Sequence, residues 1–238
     1  MFIPLYDYNP LRHVTRPYAN YMLIAITAAC FLATGGFDQL AVENAAIGLG
    51  IIPSLIYDYE VLPAEYVVVP EPATFLTYAF LHANWLHLGG NMIFLWVFGD
   101  NIEDALGHVR YVLFYLACAV AAAFVYASVD PQSPTPLIGA SGATAGVVGA
   151  YLMLHPRTKL WVLAFGRIPL RLSAAPVLGA WALFQVFNIA IAGPDEPIAW
   201  WAHIGGLGAG ALLVIAMRRR GVPLFDRHTP APDNAALP

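Results

Sequence analysis

The residues best suited to chemistry are a serine between glycines and a histidine followed by two spaced glycines, each in an apolar segment. Ser141 lies in Gly139-Ala140-Ser141-Gly142, and His203 precedes Gly206 and Gly210. A buried hydroxyl or imidazole costs free energy unless it is paired. A serine that meets a histidine in such surroundings indicates a nucleophile and its general base. We therefore expect an enzyme that hydrolyses its substrate within a membrane.

Ser141 is suited to act as a nucleophile because it begins a helix. Free backbone N–H groups and the positive end of the helix dipole favour an anion there, so an oxyanion would be stabilised. The alternative is structural, since Gly142, Gly146 and Gly149 continue a face that suits close packing of helices, and serine is small enough to join it.

His203, Gly206 and Gly210 stand at i, i+3 and i+7 and so share one helix face. The two glycines allow another backbone to come close, and the glycine face that starts at Gly142 is the expected partner. Packing these faces together would bring His203 Nε2 near Ser141 Oγ. No carboxylate flanks His203, which favours a dyad over a triad. The structural alternative is a core histidine bonded to a carbonyl oxygen or water.

A third polar group lies in an earlier apolar segment. His87 and Asn91 are four residues apart on one helix face and could donate hydrogen bonds to an oxyanion, or could simply join helices. His82 is expected to point elsewhere, towards the membrane interface. His82, His87 and His203 could together bind a metal ion, but no HExxH motif or convergent carboxylate supports this, and we expect no metal.

Six apolar segments must position these residues, and most approach the ~20 residues that cross a bilayer core of about 30 Å. The fourth is short, so we expect it to begin below the membrane surface, behind a proline-rich loop, with Ser141 at the floor of a wet pocket. The expected segments are 18–33, 75–98, 109–127, 139–154, 172–192 and 199–217.

Glu103 and Asp104 follow at the inner end of the second segment. One interpretation is a pair of solvated acids. In the other, a partly buried Glu103 accepts hydrogen bonds and ties the second segment to the fourth.

The composition also indicates a membrane protein. The chain is 59% hydrophobic and 11% charged, with a mean hydropathy of +0.64, whereas soluble domains carry about 25% charged residues. No basic run suits nucleic acid, and Arg218, Arg219 and Arg220 are typical of a membrane stop. Cys30 and Cys118 each fall in an apolar stretch without metal-ligand spacing, which favours buried thiols. We expect a lipid bilayer around the chain and no nucleic-acid partner.

The charge distribution predicts the topology. If the N-terminus is cytoplasmic, all 11 Lys and Arg fall on the inner side, and the charged residues of the outer loops are all Asp or Glu. Both termini would then be cytoplasmic and the catalytic residues would open to the outer face. We expect an all-α polytopic fold: a cytoplasmic segment at 1–17, a six-transmembrane-helix bundle at 18–220 and a disordered cytoplasmic tail at 221–238. Without visible organelle targeting, a bacterial inner membrane is favoured.

Together these motifs resemble the rhomboid family of intramembrane serine proteases. The resemblance covers 4–220 and adds a family-like opening at 2–7 and 9–12. The family's histidine-and-asparagine segment matches at His82, His87 and Asn91. The motif GxSG matches at 139–142, and HxxGxxxG matches at 203–210. GxSG alone would be weak, but three motifs in family order on the second, fourth and sixth segments are specific.

The resemblance implies a six-helix core and a dyad that needs no cofactor. Ser141 would attack the scissile carbonyl, and His203 would remove its proton and later protonate the leaving amine. The Ser141 backbone N–H, with the side chains of His87 and Asn91, would form the oxyanion hole.

The resemblance also assigns supporting roles. His82 matches a structural position, and Glu103 matches an acid that braces the fourth helix near the serine. Substrates would be single-span transmembrane proteins, cut in or near their membrane segment. They would enter past a gate on the fifth segment, which carries Trp181, Phe184 and Phe187.

Two departures from the family pattern affect rate and specificity. Ala145 stands where an aromatic residue often faces the histidine ring, so His203 is held less firmly unless another ring fills the gap. The first outer loop also lacks the Trp-Arg pair of some members. Neither change removes a catalytic group.

Two other functions stay open. One is a catalytically silent relative that binds membrane proteins, as in quality control, although such relatives usually lack the serine or the histidine and this chain has both. The other is a transporter or channel, which would need polar residues along a path rather than near one face. The sequence does not predict an oligomeric state.

Overall fold

The computed structural model describes residues 2–191, 193 and 199–226. Helices dominate it, and a π-helical turn at Leu95–Gly99 joins α5 to α6. In chain order the elements are β1 (Phe2–Asp7), α1 (Tyr18–Ala33), α2 (Gln39–Leu49), α3 (Pro53–Ile56), α4 (Thr74–Thr77), α5 (Trp85–Phe94), α6 (Asp100–Leu106), α7 (His108–Val129), α8 (Ser141–Leu154), β2 (Lys159–Ala164), β3 (Ile168–Ser173), α9 (Ala174–Ile191) and α10 (Trp200–Met217).

Three helices in the described part of the chain are long and apolar enough to cross a membrane, namely α7, α9 and α10. Two more, α1 and α8, are apolar but shorter. The short fourth segment expected from the sequence is thus a helix that begins at Ser141 itself.

The second apolar segment is not the continuous helix that the sequence predicted. After α4 and a 3-10 turn at Tyr78–Phe80, the chain is non-helical until Asn84. The Asn84 side chain accepts a hydrogen bond from the His87 backbone N–H at 2.9 Å and caps α5. The predicted boundary was wrong because this stretch is buried and apolar, and hydropathy does not separate a buried loop from a helix. The fifth helix likewise begins two residues later than expected, since Leu172 and Ser173 belong to β3.

Helix α8 lies at the centre of the bundle. All its residues from Gly142 to Tyr151 are buried, as expected of a helix that is apolar on every side. A Cβ on Gly206 of α10 would lie 1.9 Å from the Gly142 carbonyl oxygen, and one on Gly210 would lie 1.9 Å from that of Gly146. These distances leave no room for any side chain. The glycine faces of α8 and α10 therefore pack backbone against backbone.

A three-stranded antiparallel sheet, in the order β1-β2-β3, accompanies the helices. Phe2 pairs with Ala164, and the β2–β3 hairpin turns through Phe165 and Gly166, which both have positive φ. The expectation of an all-α fold is therefore wrong at residues 2–7 and 159–173. Strands this short give a weak sequence pattern, and β1 finds its partner only through long-range pairing.

The segments predicted to be cytoplasmic contact one another near the end of α8. Besides the β1–β2 pairing, Arg219 N donates to Ala105 O at 2.9 Å, and His155 Nδ1 lies 3.1 Å from Asp226 Oδ1. The tail is thus fixed as far as Asp226, which corrects the prediction of disorder from residue 221. The rest of that predicted tail lies outside the described residues. Near the start of α8, two segments predicted to be outside meet, where Ile51 pairs with Leu137.

Candidate active site

Ser141 is the first residue of α8, and the backbone turns sharply just before it. Gly139 has a φ of +122°, a conformation that favours glycine, and its N–H donates to Tyr78 O at 2.9 Å. The backbone of Ala140 is buried, and the Ser141 side chain is partly exposed. Among the described residues Ser141 Oγ has no hydrogen-bond partner, so the hydroxyl is free to turn.

His203 lies on the turn of α10 next to the start of α8. The contact of Gly142 with Gly206 fixes this register, and a Cβ on Gly142 would lie 3.5 Å from Ala202 O. The two predicted catalytic residues therefore stand on adjoining turns of packed helices. No hydrogen bond joins them in the described part of the chain, and such bonds are often long before substrate binds.

The His203 ring contacts Gln185 and Trp200, which the sequence analysis did not single out, and Trp181, which it placed at the expected gate. Its Nδ1 lies 2.8 Å from Gln185 Oε1. Two indoles pack on the ring, Trp181 at a centroid distance of 6.2 Å and Trp200 at 5.9 Å. Both indoles come from outside α8, whose Ala145 is buried. A glutamine within the apolar α9 was the signal that could have identified Gln185, because polar residues in spans are costly.

His87 borders the approach to Ser141. A Cβ on Gly139 would lie 2.6 Å from His87 Cε1 and 2.7 Å from its Nε2. Glycine is therefore required at position 139 both for its φ and for the imidazole beside it. The predicted oxyanion residue His87 thus lies against the GxSG turn.

His82 and Asn91 form one hydrogen-bonded unit behind His87. Asn91 Nδ2 donates to His87 O at 3.1 Å, which fixes the amide orientation, and lies 3.1 Å from His82 Nε2. The same nitrogen of His82 accepts from Ala140 N at 3.4 Å. His82 is 1% exposed, so the expectation that it points towards the membrane interface is wrong. It joins α5 to the residue before Ser141.

Glu103 is fully buried, but it does not tie the second segment to the fourth. Its carboxylate accepts from Ala19 N at 3.0 Å and from Asn20 N at 2.7 Å, and also contacts His108 Nδ1. It therefore caps the first turn of α1, where a negative charge is favourable. The predicted brace of the fourth helix is wrong because the free N–H groups that it satisfies belong to α1.

Asp104 is also buried rather than solvated. Its carboxylate accepts from the backbone N–H groups of Arg12, His13 and Val14 at 2.6–3.1 Å. The two adjacent acids thus fix residues 12–20 at the end of the bundle that is predicted to face the cytoplasm.

Two further features bear on the predicted site. A cavity of about 250 Å³ lies within the chain segment between α1 and α5, lined by Ile47, Leu55 and Val67 among others, and Ser141 is not among its lining residues. The wet pocket at Ser141 stays a prediction. No group of three His, Cys, Asp or Glu side chains with the geometry of a metal site occurs among the described residues.

Comparison with known proteins gives a consistent match. Residues 70–220 match the rhomboid domain. Rhomboid protein 1, mitochondrial, of Saccharomyces cerevisiae is 29% identical over 190 residues, which cover 74% of this chain and 51% of the relative. Rhomboid-like protein 11, chloroplastic, of Arabidopsis thaliana is 38% identical over 53% of this chain and 39% of the relative. Rhomboid protease GluP of Bacillus subtilis is 31% identical over 60% of this chain and 25% of the relative. The chain thus spans between a quarter and about half of these relatives.

Proposed function

Since the chain belongs to the rhomboid family, we propose that it is an intramembrane serine endopeptidase with Ser141 as nucleophile and His203 as general base. The observation that carries the proposal is the contact of Gly142 with Gly206, which sets the first turn of α8 beside the turn of α10 that holds His203. One relative is named as a protease.

In the proposed reaction His203 Nε2 takes the hydroxyl proton as Ser141 Oγ attacks the scissile carbonyl carbon. The carbonyl π electrons move to its oxygen, which the Ser141 N–H at the helix start and the His87 ring would stabilise. His203 then gives the proton to the amine as the C–N bond breaks. Water, deprotonated by the same imidazole, hydrolyses the acyl-enzyme and restores Ser141.

Asn91 joins the oxyanion hole in this proposal only after a change of partner. Its amide N–H groups face His82 Nε2 and His87 O in the resting structure. A developing negative charge is a stronger acceptor than either. We expect one N–H of Asn91 to turn to the oxyanion as the tetrahedral intermediate forms.

The proposed substrates are single-span transmembrane proteins, and the proposed bundle has six spans, with both termini cytoplasmic and the dyad towards the outer face. The topology is supported by the proposed outer loops, whose charged residues are all acidic. It is also supported by the contacts among the segments that carry the basic residues. Relatives named as mitochondrial and chloroplastic give no support for a bacterial inner membrane in particular.

Cleavage in liposomes tests the proposal. The protein is reconstituted with a single-span substrate beside Ser141→Ala and His203→Ala. We expect cleavage by the unaltered chain and none detectable in either variant, because loss of the nucleophile or its base should lower the cleavage rate by a factor of ~10²–10⁴ or more. Cleavage that survives in Ser141→Ala would overturn the assignment of the nucleophile.

The alternative function is a catalytically silent family member that binds membrane proteins. The observation in its favour is that Ser141 Oγ is not bonded to His203 and the Asn91 amide is engaged elsewhere. It predicts that the unaltered chain binds a single-span protein without cutting it, and that Ser141→Ala binds equally well.

A further inference from the structure

We infer that Gln185 is a positioning residue for His203 and that it links the catalytic base to helix α9. The inference rests on the proposed function, in which His203 is the general base. It concerns a residue that lies outside the matched GxSG and HxxGxxxG motifs.

The hydrogen bonds of Gln185 define which nitrogen of His203 carries the proton. Gln185 Nε2 donates to Trp181 O at 3.0 Å, so the amide nitrogen faces its own helix and Oε1 faces His203. An amide oxygen only accepts hydrogen bonds, and it lies 2.8 Å from His203 Nδ1. Nδ1 therefore carries the proton, and the lone pair of Nε2 is left free. That is the tautomer that a general base for Ser141 requires.

Burial makes this choice of tautomer firm. Gln185 is 2% exposed, so its Oε1 has no competing contact with bulk water. An unpaired buried amide oxygen costs free energy, and so does an unpaired imidazole N–H. Gln185 and His203 thus satisfy each other, and the tautomer with the proton on Nε2 would leave two acceptors facing one another.

Helix α9 supplies two contacts on the His203 ring rather than one. Trp181 and Gln185 are four residues apart and share a helix face, and the Trp181 indole packs on the imidazole at 6.2 Å. The same indole lies 6.1 Å from Phe94 of α5, across the seam between the two helices. A movement of α9 away from α5 would therefore also disturb the base.

The structure offers a matched control on the same helix. Asn188 Nδ2 donates to Phe184 O at 2.6 Å, the same side-chain-to-backbone bond four residues back that Gln185 makes. None of the described contacts of Asn188 reaches His203. Asn188→Leu therefore reproduces the loss of an amide from α9 but removes no described contact with His203.

The kinetic test compares Gln185→Leu, Gln185→Glu and Asn188→Leu in liposomes with a single-span substrate. We expect Gln185→Leu to lower kcat by roughly 10- to 100-fold, within the range of a general-base contribution, with little change in KM. Gln185→Glu keeps an acceptor and should retain most of kcat, with the acidic limb of its rate profile moved to higher pH, because a carboxylate favours the protonated imidazole. Asn188→Leu should match the unaltered chain. Equal kcat values for Gln185→Leu and Asn188→Leu would overturn the inference.

A spectroscopic test separates this inference from the proposed function. The ¹⁵N NMR signals of His203 are assigned by their loss in His203→Ala and report the protonated nitrogen whether or not the protein cleaves anything. We expect protonated Nδ1 in the unaltered chain and in Ser141→Ala, and a shift towards protonated Nε2 in Gln185→Leu. An unchanged tautomer in Gln185→Leu would refute the positioning role, even if Ser141 proved to be the nucleophile. Failure of Ser141→Ala to affect cleavage would instead refute the proposed function and leave the tautomer result standing.

Discussion

At the scale of single residues, the proposed site depends on the orientation of the His203 imidazole. His203 contacts an amide and two indoles, none of them from α8. The sequence identified Ala145 as a departure from the family pattern but did not predict these contacts. Trp200 is on the same helix as His203, whereas Gln185 and Trp181 reach the ring only through the packing of α9 on α10.

Asp7 gives a prediction for the dependence of stability on pH. It is buried at the end of β1, where its Oδ2 accepts from Tyr151 Oη at 2.6 Å and from Asn101 Nδ2 at 2.9 Å. Burial raises the pKa of Asp7 to about 7, against the lowering effect of the Tyr151 hydrogen bond. The folded state therefore binds this proton more tightly than the unfolded state. The stabilisation is complete below about pH 4 and is lost as the pH rises through about 7.

The measurement is thermal unfolding in detergent at pH 5 and pH 8. Asn at position 7 does not ionise. We therefore expect the melting temperature of Asp7→Asn, relative to that of the unaltered chain, to be higher at pH 8 than at pH 5. The exposed Asp58→Asn serves as the control and should follow the unaltered chain. An Asp7→Asn protein with the same change between the two pH values as the unaltered chain would show that Asp7 does not titrate in this window.

At the scale of elements, the contact between α8 and α10 sets the geometry of the site. Spaced glycines on both helices indicated this contact from the sequence, and the bounds expected for the first segment match α1. The sequence pattern did not predict the sheet or the interruption of the second segment. Both depend on tertiary pairing, between β1 and β2 in one case and around the buried Tyr78 and His82 in the other.

Alanine substitutions on α10 test this contact. In Gly206→Ala the new methyl group would meet the Gly142 carbonyl oxygen at 1.9 Å, so the helices must separate. We expect a loss of about 1–3 kcal/mol or more in the free energy of unfolding, together with loss of cleavage. Gly208→Ala is the matched control, since nothing lies within 4 Å of its Cβ. Helix propensity should leave it unchanged or up to about 1 kcal/mol more stable. Equal stability of the two variants would contradict the close backbone packing.

At the scale of the whole molecule, the charge asymmetry predicts which end of the bundle faces the cytoplasm. The basic residues lie on segments that meet near the end of α8, and the acidic loops meet near its start. The charge pattern predicts this orientation because it depends on where basic residues fall along the chain. The depth of each helix in the bilayer depends on packing, and the sequence did not determine it.

Labelling of single cysteines by a membrane-impermeant maleimide tests the orientation. Val61 is 91% exposed in the loop predicted to be the first outer one, and Ile168 is 53% exposed in the β2–β3 hairpin. In sealed cells or right-side-out vesicles we expect Val61→Cys to be labelled at once and Ile168→Cys only after permeabilisation. The unaltered chain, with Cys30 and Cys118, gives the background. The reverse pattern would contradict the proposed topology.

The central claim is that Ser141 is a nucleophile activated by His203, and covalent labelling tests it most directly. The reconstituted protein is treated with a fluorophosphonate, and the modified residue is located by peptide mass spectrometry. We predict a single adduct on Ser141, no adduct in Ser141→Ala and a strongly slowed reaction in His203→Ala. An adduct at another serine, or labelling of Ser141 that is equally fast without His203, would contradict the account.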